Sequence, residues 1–290
     1  MRFYMVVCPD GWQLVGEVVS PDTPRAVVVV GHAMMVDRRT LDRPRGSGLI
    51  SQLVSRNLAV VTADLRGHGQ SGPRAAEGGR WSYDDLVEND VPALVDFARQ
   101  KFPGLPLVCL GHSLFGHAAL AHLTRHPDAP IDKLVLLACN YVHPEWPLGA
   151  IVDKGSLMLL MSGLSRLFGH LPARRLGAGS DDEAAPFVDD FVRCLRLGDW
   201  RSRDGFSYAA HRVRVKTPIL AIAGAGDRLL APPAQARSLV AACPNSRFHI
   251  AGRRTGLAFD PGHMALVLDQ RARPVWEQIA NFALSDRSIT

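Results

Sequence analysis

The chain has 290 residues, which suits one large domain or one domain with an insertion, and 47% of its residues are hydrophobic and 21% charged. This balance excludes a disordered chain, and the longest apolar runs are too short to cross a membrane. The net charge of +5 arises from 33 basic and 28 acidic residues that are dispersed along the chain, so no nucleic-acid-binding surface is predicted.

The cysteines and the N-terminus indicate the compartment. Five cysteines are an odd number and form no Cys-x-x-Cys pair, which argues against a disulfide framework and against a zinc site of that type. The N-terminus lacks the long apolar stretch of a secretion signal. We therefore expect a cytoplasmic protein with no membrane span.

Short apolar runs alternate with helical periodicity in the first half of the chain. A continuous β-branched run predicts a buried strand, and apolar residues three and four positions apart predict a helix. Pro92 predicts a kink or a later start inside the longest helix. In chain order, the predicted elements are strands at 3–7, 13–19 and 25–30, a helix at 47–56, a strand at 58–63, a helix from Ser82 to about Lys101, a strand at 105–110, a helix at 114–125 and a strand at 133–138.

The pattern changes after residue 140, because no convincing strand occurs before residue 213. The stretch is too long for a simple loop, and strand character returns beyond it. The predicted elements of this half are helices at 157–168 and 186–195, a strand at 218–223, a helix after Pro232-Pro233, a strand at 247–250 and a helix at 273–282.

Strands that alternate with helices predict an α/β fold, in which a mostly parallel sheet carries helices on both faces. Residues 1–140 and 213–290 form the predicted core. Residues 141–212 form a predicted helical cap, inserted between the sixth and seventh strands of the sheet.

One strand-to-helix junction carries the signal for catalysis. The predicted strand at 105–110 leads directly into Gly111-His112-Ser113-Leu114-Phe115, and a helix follows. A serine in such a turn has a strained backbone and an exposed hydroxyl, and the N–H groups of the following helix point at any oxyanion beside it. Ser113 is therefore the candidate nucleophile.

Four motifs, taken in order, resemble the α/β-hydrolase superfamily, in its serine-nucleophile branch of capped, esterase- and lipase-like members. Residues 111–115 resemble the nucleophile elbow G-x-S-x-G, and residues 64–71 resemble the loop D-x-R-G-x-G-x-S. Asp227 follows a predicted strand where the family keeps its acid, and His263 lies where the family keeps its histidine. The resemblance covers nearly the whole chain and implies an α/β-hydrolase fold.

The fifth position of the elbow departs from the family pattern, because Phe115 stands where the family has a small residue. A side chain of this size should crowd the adjacent strand. Either a neighbouring strand carries a small residue opposite, or the elbow is remodelled, with Gly116 absorbing part of the strain. We expect Phe115 to be tolerated.

The resemblance implies a catalytic Ser-His-Asp triad. Ser113 would attack a carbonyl carbon, His263 would serve as general base, and Asp227 would orient His263. Asp153 and Asp260 compete weakly for the role of the acid, since the first lies in the predicted cap and the second is close to His263 in sequence.

An oxyanion hole of two backbone N–H groups is implied as well. The residue after the nucleophile, Leu114, supplies one donor. The second is expected from Met34, in the loop after the third strand, where Ala33 takes the place of the family's usual glycine.

The predicted cap supplies candidates for a substrate pocket. The segment 157–168 is apolar on almost all sides, so we expect a buried helix that serves as a lid over an acyl pocket, or that packs on the core or on a second subunit. Trp200 flanks the cap as well. The candidate pocket residues are His32, His112, Tyr141, Trp146, Met158 and Met161.

The sequence thus predicts a serine hydrolase that cleaves a carboxylic ester or thioester of a small to medium, largely apolar acyl group through an acyl-enzyme. Acyl transfer, or hydrolysis of a C–C, amide or lactone bond on the same triad, remains open, as does a ligand-binding protein without activity. No metal-ligand or dinucleotide motif occurs, so no metal or cofactor is expected. The expected partner is a small molecule, and the apolar cap helix could mediate a homodimer.

Overall fold

A computed structural model of the protein describes residues 2–140 and 148–286. Its strands are β1 (Arg2–Val7), β2 (Gln13–Val19), β3 (Ala26–Gly31), β4 (Leu58–Ala63), β5 (Leu107–His112), β6 (Lys133–Leu137), β7 (His170–Leu171), β8 (Glu183–Ala184), β9 (Ile219–Gly224) and β10 (Ser246–Ala251). Its helices are α1 (Leu49–Ser55), α2 (Tyr83–Asp85), α3 (Val91–Lys101), α4 (Leu114–Arg125), α5 (Leu148–Phe168), α6 (Ala185–Leu197), α7 (Tyr208–His211), α8 (Pro233–Val240), α9 (Ala265–Leu268) and α10 (Arg273–Leu284).

The main sheet has eight strands in the order β1-β2-β4-β3-β5-β6-β9-β10. The β1–β2 and β2–β4 pairs are antiparallel, and all the other pairs are parallel. The register places Gly31, at the end of β3, opposite Gly111 near the end of β5. The carboxyl ends of the central strands therefore meet at one edge, where ligands bind in open α/β sheets.

Helices cover both faces of this sheet, as predicted. Val27 and Val29 face the core under α3, α4 and α8, whereas Val28 and Val30 face the core under α1, α9 and α10. Because successive side chains of a strand point to opposite faces, a strand buried on both sides is apolar at every position. This requirement explains the uninterrupted valine run of β3.

The second predicted helix begins where its sequence signal lies. Ser82 and Asp85 form a capping box, in which each side chain accepts a hydrogen bond from the other residue's backbone N–H. A π-helical segment, Leu86–Asp90, follows α2, and α3 begins at Val91. The helical backbone is therefore continuous from Tyr83 to Lys101, and Pro92 lies inside it, directly after the π-helical segment.

The region between β6 and β9 holds α5, β7, β8, α6 and α7, and we call this region, residues 148–211, the insertion. It contains a two-stranded antiparallel sheet of β7 and β8, so the prediction of no strand before residue 213 is wrong. Strands of two residues are too short to show an alternating pattern. The helix α5 also starts earlier than predicted. Gly149 and Gly155 lower the helix propensity of its first turns, so the sequence does not indicate a helix there.

The insertion exposes more apolar surface than its sequence suggests. On α5, Leu159 is 67% exposed and Leu167 is 74% exposed, so the expectation of a helix buried on most sides is not met in the single chain. The predicted homodimer stays a prediction. No helix among the described residues is long and apolar enough to cross a membrane.

Candidate active site

Ser113 lies in a strained turn between β5 and α4. Its backbone has φ of 54° and ψ of −108°, a conformation that side-chain-bearing residues rarely adopt and that costs about 1–3 kcal/mol. The Ser113 N–H donates to the Leu137 carbonyl at 2.8 Å, which ties the turn to the end of β6. Strain of this kind persists only where the surroundings enforce it, and here it leaves Ser113 partly exposed.

Two glycines make the tight turn possible. A Cβ added to Gly111 would lie 1.9 Å from the Gly116 nitrogen, and one added to Gly116 would lie 2.5 Å from Cys139 Sγ. Neither position can carry a side chain, because real Cβ atoms do not approach other heavy atoms below 3.0 Å. Gly116 therefore provides the close helix–strand approach that the family obtains from its fifth elbow residue.

The unusual Phe115 is accommodated by a gap in the neighbouring strand. Its ring is fully buried and lies against Gly31, where an added Cβ would be 1.9 Å from Phe115 Cγ. Of the two predicted alternatives, a small residue opposite Phe115 is the one present. The bulk at one position is thus offset by the missing side chain at the other.

His263 and Asp227 form a hydrogen-bonded pair. His263 Nδ1 donates to Asp227 Oδ2 at 2.7 Å, while Asp227 Oδ1 accepts the Leu230 N–H at 3.0 Å. Burial raises the pKa of Asp227, but the hydrogen bond from His263 and those from nearby backbone N–H groups lower it, and the net pKa lies below the usual value. Because Nδ1 carries the donated proton, Nε2 of the neutral ring is the basic nitrogen.

The loop that carries His263 docks closely on the end of β9. A Cβ at Gly224 would lie 2.2 Å from the Pro261 carbonyl oxygen, and the Gly226 N–H donates to the same carbonyl at 3.0 Å. Asp260, a competing acid, accepts the Arg253 N–H at 2.8 Å and so braces this loop. The side chain of Asp153 lies outside the described residues.

The two predicted oxyanion donors are both at the same cavity. Leu114 is the first residue of α4, and Met34 lies in the turn after β3; both line the cavity together with Ser113 and His263. Within residues 2–140 and 148–286, neither the Leu114 N–H nor the Met34 N–H donates a hydrogen bond. The next N–H, of Met35, is occupied, because it donates to Glu183 Oε1 at 2.7 Å.

The cavity has a volume of about 490 Å³ and lies between the insertion and the carboxyl ends of the strands. Met158 and Met161 of α5 line it, as does Trp200. Tyr141 and Trp146 lie outside the described residues. The other apolar side chains that line the cavity include Met35, Leu157, Leu160, Leu164, Leu171, Leu176, Phe191, Leu229, Leu230 and Met264.

His32 and His112 do not line this cavity, contrary to expectation. His32 is fully buried, where Nδ1 donates to the Ala33 carbonyl at 2.7 Å and Nε2 accepts the Leu65 N–H at 2.9 Å. His112 is also fully buried and donates from Nε2 to the His263 carbonyl at 3.1 Å. Burial lowers the pKa of both rings to about 3, so both are neutral braces of the loops around the site.

Polar residues that the sequence did not single out also line the cavity: Tyr83, His117, Asn140 and Asp190. A signal existed for His117, because it follows Ser113 by four residues in a predicted helix and so shares its face. No comparable signal exists for Tyr83 or Asp190, whose approach depends on how the insertion packs.

A group of potential metal ligands lies elsewhere, although no metal is predicted. Among the described residues, Glu88, His122 and His126 bring one ligand atom each within 4.8 Å of one another. His126 Nε2 and Glu88 Oε2 are 2.8 Å apart and hydrogen bonded. None of the three lines the cavity.

Comparisons with known proteins agree with this architecture. A family model described as "Serine aminopeptidase, S33" matches residues 22–186. A monoacylglycerol lipase of Mycolicibacterium smegmatis is 29% identical over 252 residues, which cover 83% of this chain and 84% of that protein.

Solved structures show the same fold. An esterase of Exiguobacterium antarcticum superposes with a TM-score of 0.66 at 17% identity, covering 98% of this chain and 100% of that one. A monoacylglycerol lipase of Paleococcus ferrophilus gives 0.63 at 16% identity, with 94% and 99% covered. This likeness confirms the predicted fold class.

Proposed function

Because the chain belongs to the serine aminopeptidase S33 family of α/β-hydrolases and is a hydrolase, we propose that it cleaves carboxylic esters of a small to medium, largely apolar acyl group. One observation carries the proposal. Ser113 and His263 line a single, mostly apolar cavity, and His263 is held through Nδ1 by the buried Asp227.

The proposed reaction begins with proton transfer from Ser113 Oγ to His263 Nε2 as the oxygen attacks the ester carbonyl carbon. The N–H groups of Leu114 and Met34 then hold the oxyanion of the tetrahedral intermediate. Collapse of the intermediate expels the alcohol, which takes the proton from His263 and leaves an acyl group on Ser113. Water, deprotonated by His263, repeats the sequence and releases the acid.

The lining of the cavity favours a neutral ester over a peptide with a free amino group. Asp190 is the sole carboxylate among the described residues that line it. Asp190 already accepts the Tyr83 N–H at 2.9 Å and Arg203 Nε at 2.7 Å. An aminopeptidase must bind the ammonium group of its substrate with an acidic side chain. Asp190 is already hydrogen bonded to other residues and serves poorly in this role, and a buried ammonium group without a partner is costly.

The acyl group would lie against the insertion. Met158, Met161 and Leu164 of α5 supply a flexible apolar wall, and methionine adapts to varied ligand shapes. The M. smegmatis relative is named a monoacylglycerol lipase, and its similarity extends over most of both chains. A neutral monoester of glycerol is therefore the substrate class that we propose.

Labelling with a fluorophosphonate tests the proposal. Intact mass should show one adduct on the wild type, mapped to Ser113, and no adduct on Ser113→Ala or His263→Ala. The matched control is Ser55→Ala, a change at an exposed serine outside the cavity, which should label like the wild type.

Turnover of glycerol monoesters should then follow the labelling in all four proteins. Absence of an adduct on the wild type, or an adduct at another residue, would refute the proposed nucleophile. A ligand-binding role without catalysis would then be the better account.

A further inference from the structure

One corner of the cavity is polar and takes no part in the reaction described above. Tyr83, His117 and Trp200 line it together. The His117 side chain is 7% exposed, and its Nε2 atom is buried with no hydrogen-bond partner among the described residues. A buried polar nitrogen without a partner is unfavourable, so a ligand that supplies one gains affinity.

The surrounding contacts decide which proton His117 carries. Tyr83 Oη and His117 Nδ1 are 2.8 Å apart, and the imidazole stacks on the Trp200 ring with centroids 4.2 Å apart. Burial raises the pKa of Tyr83 well above its usual value, so the phenol is neutral and keeps its proton. Its own proton is then free to be donated to Nδ1.

His117 Nε2 is consequently the donor of the pair. Burial lowers the pKa of His117 to about 3, so its ring carries one proton at neutral pH. With Nδ1 accepting from Tyr83, that proton is on Nε2. An Nε2–H group donates to an oxygen acceptor such as a hydroxyl. Because the ring is neutral, it does not attract anions or repel cations, whereas an imidazolium would.

The position of this donor relates it to the scissile bond. The His117 N–H donates to the Ser113 carbonyl at 3.0 Å, so His117 lies one turn into α4 from Ser113, or about 6 Å along the helix axis. An ester whose carbonyl is bound at Ser113 would therefore place near His117 an oxygen atom that is a few bonds away from that carbonyl.

We propose that His117 Nε2 donates a hydrogen bond to a hydroxyl oxygen of the ester substrate, and that Tyr83 is the positioning residue that fixes this donor. The inference rests on the proposed ester hydrolysis and adds a specificity determinant to it. The hydroxyl could belong to the alcohol, as in a glycerol monoester, or to the acyl chain, as in a 3-hydroxyacyl ester.

The test compares esters that differ only in hydroxyl groups. Monooctanoylglycerol and propyl octanoate form one pair, and propyl 3-hydroxyoctanoate with propyl octanoate forms the other. For the wild type we expect kcat/KM to favour the hydroxylated member of one pair about tenfold or more, and that pair identifies which side of the ester carries the oxygen.

Two variants assign this preference to His117. His117→Phe keeps an aromatic ring against Trp200 but removes the donor, so the preference should fall to near one. Tyr83→Phe releases Nδ1 and should reduce it partly, and this variant keeps the test decisive if His117→Phe does not fold. The matched control is His122→Phe, since His122 is buried on the same helix but does not line the cavity, and it should keep the wild-type preference.

The outcomes separate the two levels of inference. If the wild type hydrolyses the propyl ester but shows no preference for hydroxylated esters, His117 is not a subsite although the proposed function stands. The same holds if the preference exists but persists in both variants. If neither ester is hydrolysed and no fluorophosphonate adduct forms, the proposed function fails and the subsite with it.

Discussion

Replacing Gly31 by alanine should disable the elbow from outside the motif. The new methyl group would lie 1.9 Å from Phe115 Cγ, where ordinary van der Waals contact begins at 3.4 Å. The Phe115 ring would have to move by about 1.5 Å through a close-packed core. Gly31 has no unusual φ, so the effect would be purely steric.

The expected cost is at the upper end for overpacked cores, about 3 kcal/mol of unfolding free energy. Phe115→Ala alone should cost about 3–5 kcal/mol, because it leaves a cavity. The double variant should lose about 1–3 kcal/mol less than the two single losses combined, since the alanine then occupies vacated space. Urea denaturation of the wild type, the two single variants and the double variant measures these unfolding free energies.

Catalysis should fall with stability in Gly31→Ala. The Phe115 N–H donates to the His32 carbonyl at 3.3 Å, so a displaced ring shifts the backbone next to Ser113. A displacement near 1 Å costs about 100-fold in rate, which kcat/KM for p-nitrophenyl butyrate would reveal.

The matched control for this substitution is Gly163→Ala in α5. No atom lies within 4 Å of a Cβ at Gly163, so the change should be neutral or stabilising by up to about 1 kcal/mol. Wild-type stability and activity in Gly31→Ala, or strictly additive losses in the double variant, would refute the packing account of Phe115.

Three other substitutions test other parts of the molecule. Asp227→Asn should lower kcat about 10⁴-fold while circular dichroism shows an intact fold, and a loss below tenfold would contradict its orienting role. Burial alone lowers the pKa of His68, but Glu183 raises it to about 9, so the stability from this pair should be full below about pH 6.5 and lost as the pH rises through about 9. Urea midpoints should decline over that range in the wild type and stay flatter in Glu183→Gln. In a cavity of about 490 Å³, kcat/KM of the wild type should rise with acyl length and then fall. Met161→Trp should shift the optimum to shorter acyl chains. A preference of the wild type for acetate esters would contradict an acyl pocket.

The strands of the main sheet are well predicted from the sequence because their burial determines their hydrophobic pattern. β2 and β4 have the predicted ends, since a continuous apolar or alternating run stops where the strand leaves the core. The start of α5 and the short β7–β8 pair are less predictable. Their residues are stabilised by packing against other parts of the chain, and a local pattern cannot report that packing.

The histidines show the same limit at the site. His32, His112 and His117 all lie within or next to family motifs, yet only His117 lines the cavity. The direction of each side chain decides the difference. His112 is the last residue of β5 and turns beneath the His263 loop, whereas His117 lies one helical turn beyond Ser113 on the face that the insertion covers.

The loop that carries the proposed oxyanion donor is held by the insertion as well as by the core. Met35, next to Met34, has φ of 61°, a costly conformation for a residue with a side chain. Glu183 Oε1 accepts the Met35 N–H at 2.7 Å and pairs with the buried His68, while the Asp181 N–H donates to the Met35 carbonyl at 3.0 Å.

A strained residue persists only when its surroundings fix it, and two of these partners belong to the insertion. His68 donates from Nδ1 to the Arg66 carbonyl at 2.8 Å and faces Glu183 with Nε2, so both ring nitrogens carry protons and the ion pair is charged. The segment 181–183 is therefore part of the support for the proposed oxyanion hole.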